Sequence, residues 1–399
     1  MSARITGIGR RVVVATSFAA VAFTSQAVAQ SGQTVMEGHR TPRKVLYPII
    51  GAAIGGAASL VYFWSGPRTL PGTCAGTVCP AIASLGGGAF IGWLVGKEKD
   101  ELHALRYKGG MPLKPQATEV DLAGEPMMLV VADSFVAAVG GGGAQVVANG
   151  VKPHVLATRA AGLRQLSDAA MVPSTGEMAI TASGGLYKFP LMTGQGVTLR
   201  TPPTSAVVAF GNDYVVGAGM RVERVPRTAS EPTKWAGITL SDSVRALETD
   251  PRGFVWAITE TELVSLKPAL DSFEVVGRTP LPKGTPQRLD LDGQLIAVAL
   301  GDSGVRFVNV ADATQPKPIV DFKDVRFAHD VALKGTTAFI AAGIDGLVKV
   351  SLRNGNQTLK EGIARELGFI VAVEAADPVL WVLDRSGSAT LKRIPIDFK

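Results

Sequence analysis

"GIDGLVKVSL", residues 343–352, has a near-twin 42 residues upstream in "GDSGVRFVNV", residues 301–310. Both run glycine, polar turn, glycine, then apolar and polar residues in alternation. Alternation puts successive side chains on opposite faces of a strand, and glycine admits the positive φ of a tight turn ahead of it. The same pattern can be followed in both directions along the chain. The residues that open each run are Gln145, Leu186, Met220, Leu263, Val305, Leu347 and Leu391. The steps between them are 41, 34, 43, 42, 42 and 44 residues, which makes seven copies of one unit. Self-similarity at a fixed period of this size is the signature of a repeat architecture.

Each unit carries strand signals. The fourth reads "VRALETD", "FVWAIT", "LVSLK" and "FEVVG", four short runs split by Pro-Arg-Gly, Glu-Thr-Glu and Pro-Ala-Leu-Asp-Ser. Period-two runs bounded by Gly, Pro, Asp and Ser predict antiparallel strands joined by tight turns. Four such strands in each unit, repeated radially, predict an all-β fold, a seven-bladed β-propeller over residues 118–399. The last copy supplies three strands and stops. "TEVDL", residues 118–122, alternates correctly and is predicted to pair with the last copy as its outer strand, closing the ring. Gly304 and Gly346 are predicted in the loops between second and third strands. Ala297, Ala299, Ala341 and Ala342 are read as small residues on inner strands that converge on a crowded axis.

The pair at 294–352 resembles the LVIVD repeats of bacterial extracytoplasmic propellers. "HDVALKGTTAFIAAGIDGLVKVSL", residues 329–352, and "QLIAVALGDSGVRFVNVADATQPKPIV", residues 294–320, carry the resemblance. The other copies match loosely. The acidic Val-Asp-Val-Ser-Asp-Pro tail of the family is replaced by Val308-Asn309-Val310-Ala311-Asp312-Ala313, and in the next copy it is lost. No Trp-Asp dipeptide occurs, so a WD40 reading has no support. The resemblance implies an exported seven-bladed propeller with no catalytic set to carry over.

The chain has 399 residues, 46% of them hydrophobic, so it can bury a sizeable core. Its formal net charge is +6, of which Arg4, Arg10 and Arg11 supply three. The remainder is near balance and shows no basic stripe, which argues against nucleic acid as a partner. Residues 1–29 read as a signal peptide: a cationic start, the apolar run "VVVATSFAAVAF", and "AVA" at 27–29 before a cleavage point. An uncleaved anchor is the competing reading. Arg10-Arg11 permits, without establishing, a twin-arginine route. A short polar segment, 30–44, follows.

Residues 45–97 hold two apolar stretches, 45–64 and 81–96, of 20 and 16 residues. Gly51 and Gly55 recur at every fourth position on the first, and Gly88, Gly92 and Gly96 on the second. So much glycine weakens a helix in water, but in lipid small residues on one face let two backbones approach. The region resembles the glycine-zipper two-helix domains of bacterial envelope proteins. It is read as a Gly-rich α-helical hairpin that enters the membrane and suits self-association through its glycine faces. A soluble hairpin packed on the main domain is the alternative. The loop between the stretches holds the only two cysteines, Cys74 and Cys79, and an even pair in an exported chain suggests a disulfide. The basic residues flanking the hairpin fit an inner-membrane crossing from the periplasm poorly and an outer-membrane placement better. Residues 98–117 read as a helical extension and linker.

A search for chemistry returns little. His39, His103, His154 and His329 show no metal spacing, no HExxH or GxSxG occurs, and no cofactor or metal is expected. "GGGG" at 140–143 lacks the residues of a phosphate loop and reads as a hairpin turn. Asp168, Asp242, Asp290, His329 and Asp330 are predicted near inner-strand starts, at the axial mouth. A ring of carboxylates there suits a cation or polar ligand. Such residues more commonly hydrogen-bond backbone amides where a strand begins. The sequence is therefore read as a non-catalytic, membrane-tethered scaffold of the bacterial cell envelope. Its propeller, periplasmic or extracellular, would bind an envelope protein or polymer. The alternative is a periplasmic hydrolase or lyase using His329, Asp330 and Asp168 at the axial mouth.

Overall fold

In the computed structural model, residues 111–398 are described, apart from 161–164, 173–174, 192–196, 200–202, 230–234, 271 and 354. The signal peptide 1–29, the segment 30–44, the hairpin 45–97 with Gly51, Gly55, Gly88, Gly92, Gly96, Cys74 and Cys79, and most of the stretch 98–117 lie outside the described residues.

The unit Gly110–Lys399 is a ring of seven sheets. The first blade is β3 (Pro126–Val131), β4 (Phe135–Gly140), β5 (Gly143–Ala148) and β6 (Val155–Ala160). The second is β7 (Leu166–Val172), β8 (Glu177–Ala182), β9 (Gly185–Pro190) and β10 (Val197–Leu199). The third is β11 (Ala206–Phe210), β12 (Asp213–Ala218), β13 (Arg221–Val225) and β14 (Gly237–Thr239). The fourth is β15 (Val244–Thr249), β16 (Val255–Thr259), β17 (Glu262–Pro268) and β18 (Phe273–Pro280). The fifth is β19 (Arg288–Asp292), β20 (Leu295–Ala299), β21 (Val305–Asn309) and β22 (Lys317–Phe322). The sixth is β23 (Asp330–Lys334), β24 (Thr337–Ala341), β25 (Leu347–Arg353) and β26 (Gln357–Ala364). The seventh has β27 (Ile370–Ala376), β28 (Val379–Asp384) and β29 (Thr390–Pro395).

The first strand of every blade touches the first strand of the next, from β3 round through β27 and back to β3. The ring is thus closed, and β2 (Thr118–Asp121) seals its rim. It pairs antiparallel with β29, Thr118 opposite Arg393 and Asp121 opposite Thr390, and Leu122 continues the ladder by donating its N–H to the Ala389 carbonyl at 2.9 Å. The predicted closure by residues 118–122 is what forms. The stretch read as linker adds one element the sequence did not announce. β1 (Met111–Pro112) runs parallel to β26 as a fifth strand of the sixth blade. Gly362 makes room for it, since a Cβ there would come within 2.5 Å of the Met111 carbonyl and the Leu113 side chain.

The core is not one mass. A separate apolar cluster fills the gap between each pair of neighbouring blades; one between the seventh and first, for example, joins Trp381, Leu383 and Leu391 to Leu129, Val136 and Ala138. Second strands are therefore covered on both faces. β16, β20 and β28 are buried at every residue and read as continuous apolar runs instead of alternating ones. This corrects the placement of the small residues. Ala297 and Ala299 lie on β20 and Ala341 on β24, second strands pressed between two sheets, with Ala342 just beyond, not on the innermost strands at the axis.

Candidate functional site

The repeat glycines set the geometry of one face. Gly304 and Gly346, in the loops between second and third strands, have φ of 79° and 80°. A Cβ on either would run into the carbonyl of the outer strand of its own blade, Phe322 for Gly304 and Ala364 for Gly346. Gly301 and Gly343, which open the same two loops, have φ of 62° and 56° and reach into the next blade. The Ala328 N–H donates to the Gly301 carbonyl at 2.8 Å, and Gly343 exchanges two hydrogen bonds with Ile370. Each loop is thereby stapled to the entry of the following inner strand. The side chains at those entries, Phe327, His329 and Phe369, lie over the bare glycines. A Cβ on Gly301 would come within 3.0 Å of the Phe327 ring, and one on Gly343 within 3.0 Å of His329 Nε2 and 3.4 Å of the Phe369 ring.

The three rings form a cluster. Phe327 and His329 have centroids 4.6 Å apart, and His329 meets Phe369 edge-on at 5.8 Å. Phe369 and Ile344 are 36% and 68% exposed, so the cluster faces solvent. Arg326 beside it is paired with Asp345 at 3.6 Å. Burial lowers the His329 pKa below its ordinary value, so the imidazole is neutral at pH 7, and its ring nitrogens make no hydrogen bond among the described residues.

Below this mouth the first strands surround the axis and carry charge. Asp168 on β7, Glu248 on β15, Asp290 on β19, Asp330 on β23 and Glu374 on β27 contribute carboxyls, and Arg288 on β19 a guanidinium. The three aspartates are used alike. One oxygen accepts from the following residue of its own strand and the other from the inner strand of the next blade. Asp168 bridges Ala169 and Val207 at 2.9 and 3.0 Å, Asp290 bridges Leu291 and Leu333 at 2.7 and 2.5 Å, and Asp330 bridges Val331 and Val373 at 2.9 and 3.0 Å. These are clasps between blades, and they satisfy strand N–H groups that no ladder reaches. Arg288 reaches round the axis to pair with Asp168 and to donate to the Ser167 carbonyl at 2.9 Å. Glu248 accepts only from the Thr249 N–H, and Glu374 accepts no hydrogen bond among the described residues.

These groups are largely enclosed by protein, yet each keeps some accessible surface, Asp168 the least at 8%. Enclosure disfavours their charged forms. Burial, then the neighbouring Asp290, pushes the Glu248 carboxyl up to about 8. Burial raises Asp290 to about 6 and Asp330 to about 7, the latter held back by Arg288. Glu374 is raised well above the usual carboxylate range by burial, then by Asp290, Asp330 and Glu248. Asp168 is raised by burial against the pull of Arg288. Burial opposes the Arg288 charge, but Asp168 and Asp330 outweigh it and its pKa stands above the ordinary value.

The structure brings Asp168, Asp290 and Asp330 onto the inner strands round the axis and His329 into the ring cluster on the loop face. Asp242 is not among them. It sits before β15, where it accepts from the Ser243 N–H at 2.7 Å and the Thr261 hydroxyl at 3.3 Å. Three channel residues were not singled out from the sequence: Glu248, Arg288 and Glu374. A signal existed, because Glu248, Asp290 and Glu374 are spaced by one and then two steps of 42, a carboxylate kept at one repeat position. No group of acidic, histidine or cysteine side chains among the described residues has the arrangement of a metal site.

No family model matches the chain, and no curated protein does. Among solved structures it is similar to the crystal structure of the Cps50 (Swd1) β-propeller domain of Myceliophteria thermophila. That match is at 12% identity with a TM-score of 0.56, covering 71% of this chain and 99% of that one. At that identity the likeness establishes the propeller fold and nothing of its chemistry.

Proposed function

We propose that the chain is a non-catalytic interaction platform, its propeller presenting the face with the repeat loops to a protein partner. The observation that carries this is the solvent-facing cluster of Phe327, His329, Phe369 and Ile344, held on loops that are hydrogen-bonded to neighbouring blades. A rigid apolar patch ringed by polar groups is what protein docking uses, because little ordering entropy is lost when it is covered. The channel aspartates support a structural use, since both oxygens of each hold backbone N–H groups. In this reading the propeller is of the LVIVD type, and residues 45–97 tether it to the bacterial cell envelope with the propeller in the periplasm or outside.

Two measurements test the parts separately. A photo-crosslinking residue placed at Ile344 in the full chain, in its native cell, is expected to trap a protein adduct. The same residue at Leu270, 92% exposed in the turn between β17 and β18, is not. Equal adducts from both sites, or none from Ile344, would remove the platform. Retention of the chain in membranes through an alkaline carbonate wash is expected of the tether, and release of intact protein counts against it.

A further inference from the structure

We infer that the loop face carries a second contact point, a niche between the first and second blades that receives an aromatic side chain of the protein partner. The inference rests on the platform reading and adds one anchor of the partner to it.

The niche is a cavity of about 500 Å³ lined by Glu125, Met127, Gly141, Gly142, Gln165 and Leu166. Its place in the repeat says what is missing from it. Phe327 and Phe369, 42 residues apart, precede the inner strands of the sixth and seventh blades and lie over glycines in the loops of the fifth and sixth. Phe327 stands three residues before Asp330, and Gln165 stands three before Asp168, which makes the same clasp in the second blade. At the entry to the second blade, glutamine thus holds the position where two other blades hold a ring. The loop across the cavity is also shorter. Ala299 pairs with Val305 and Ala341 with Leu347, which leaves residues 300–304 and 342–346 in the turns of the fifth and sixth blades. In the first blade Gly140 pairs with Gly143, and only Gly141 and Gly142 remain in the turn. Bare glycines with no ring above them leave the space open. About 150 Å³ is enough to hold a benzene ring.

The walls favour a ring as the occupant. Backbone without Cβ atoms gives a flat floor, as it does beneath Phe327. Met127 sits where β3 shifts register, between Pro126 and Met128, and is 52% exposed. A bulge of this kind re-aims a side chain, and a thioether is a favourable neighbour for an aromatic ring. Gln165 has a φ of 51°, a conformation that costs a residue with a side chain and that gathers where ligands are held. Leu166 adds apolar surface. The polar groups stand at the edge: the Gln165 amide, and the Glu125 carboxylate, which meets Arg385 at 3.2 Å. An apolar floor with a few polar groups beside it is the usual make-up of a small binding site. Glu125 is 84% exposed and Met127 half-exposed, so the niche is too open to engulf a free molecule. It suits a ring presented from a protein surface, and it opens on the face that carries Phe369 and Ile344.

The test uses the full-length chain in neutral detergent micelles and two small probes, N-acetyl-phenylalanine methylamide and N-acetyl-cyclohexylalanine methylamide. The second is similar in size but puckered and without a π-face. Ligand-detected NMR titrations are corrected for uptake by protein-free micelles. The phenylalanine probe is expected to saturate with a Kd on the order of 1 mM, and the cyclohexyl probe to bind roughly fivefold or more weakly. Met127→Ala is expected to weaken the phenylalanine probe several-fold. Gln165→Phe, which supplies the ring that the other two blades carry, is expected to abolish its binding, and thermal unfolding confirms that both variants fold. Cyclohexyl binding as tight as phenylalanine binding, absence of saturable binding, or parent-like binding by both variants would overturn the inference. The partner is followed by a photo-crosslinking residue at Gly142, where a side chain meets nothing within 4 Å. In the native cell it is expected to trap the same protein as the residue at Ile344, and to lose it in the Gln165→Phe chain. An adduct at Ile344 with indifferent probes, or with none at Gly142, sinks only the niche. Discriminating probes with no adduct at either position sink the platform.

Discussion

At the scale of single residues, one turn explains why the chain repeats itself. Each loop of the form Gly-x-x-Gly in the fifth and sixth blades needs its two glycines for different reasons. The first lies beneath an aromatic ring of the next blade, and the second lies against a carbonyl of its own outer strand. Space and backbone conformation can be separated experimentally. Gly346→Ala meets both a φ of 80° and the Ala364 carbonyl, whereas Gly355→Ala meets a φ of 73° in open space. Positive φ alone costs a non-glycine residue about 1–3 kcal/mol. Gly355→Ala is expected to lose about that much, and Gly346→Ala clearly more, in urea unfolding of the two variants side by side. Equal losses would mean that the carbonyl contact is relieved by a backbone shift. Conformation of this kind is what made the loop legible in the sequence, because only glycine tolerates it. The aromatic rings above it were not legible, since nothing in a phenylalanine's neighbours says that it will lie over a glycine in another blade.

At the scale of elements, what could be read depended on what each strand buries. The strands of the fourth blade were legible because turns and runs alternate cleanly there, and the structure places β15, β16, β17 and β18 on the four runs. β1 was not legible: two exposed residues in parallel pairing leave no pattern. β2 was legible because one apolar residue between polar ones must face inward, and Val120 does so, 9% exposed in the cluster with Trp381 and Leu391. This gives β2 and β1 unequal weight. Val120→Asp buries an unpaired carboxylate in the gap that closes the ring, and is expected to destabilise by about 3 kcal/mol or more. Met111→Ala, at an exposed position, is expected to stay within about 0.5 kcal/mol. Thermal unfolding of the two variants checks the contrast, and similar midpoints would mean that the ring does not depend on its clasp.

At the scale of the whole molecule, the channel makes stability depend on pH in an unusual direction. Most folded proteins hold their carboxylates below the usual range and lose stability in acid, as Asp250 here does, held down, against its burial, by Arg252 and Trp256. The axial groups run the other way. Unfolded, Glu248, Asp290 and Asp330 lose their protons near the ordinary carboxylate values of 4.5 and 3.8; folded, they keep them to about 8, 6 and 7. Glu374 and Asp168 are shifted in the same sense. Between those limits the folded ring binds more protons than the unfolded chain, so stability must fall as pH rises. The stabilisation is fully present below the unfolded values and is lost as pH climbs through the folded ones. The ring is therefore expected to unfold at a higher temperature near pH 5 than near pH 8, by an amount worth roughly a few kcal/mol. Glu248→Gln and Glu374→Gln, which remove the titrating groups and keep their shape, are expected to flatten that slope. Denaturation midpoints across the range decide it, and a midpoint that rises toward pH 8 in the parent chain would mean that Arg288 and channel water hold the carboxylates charged.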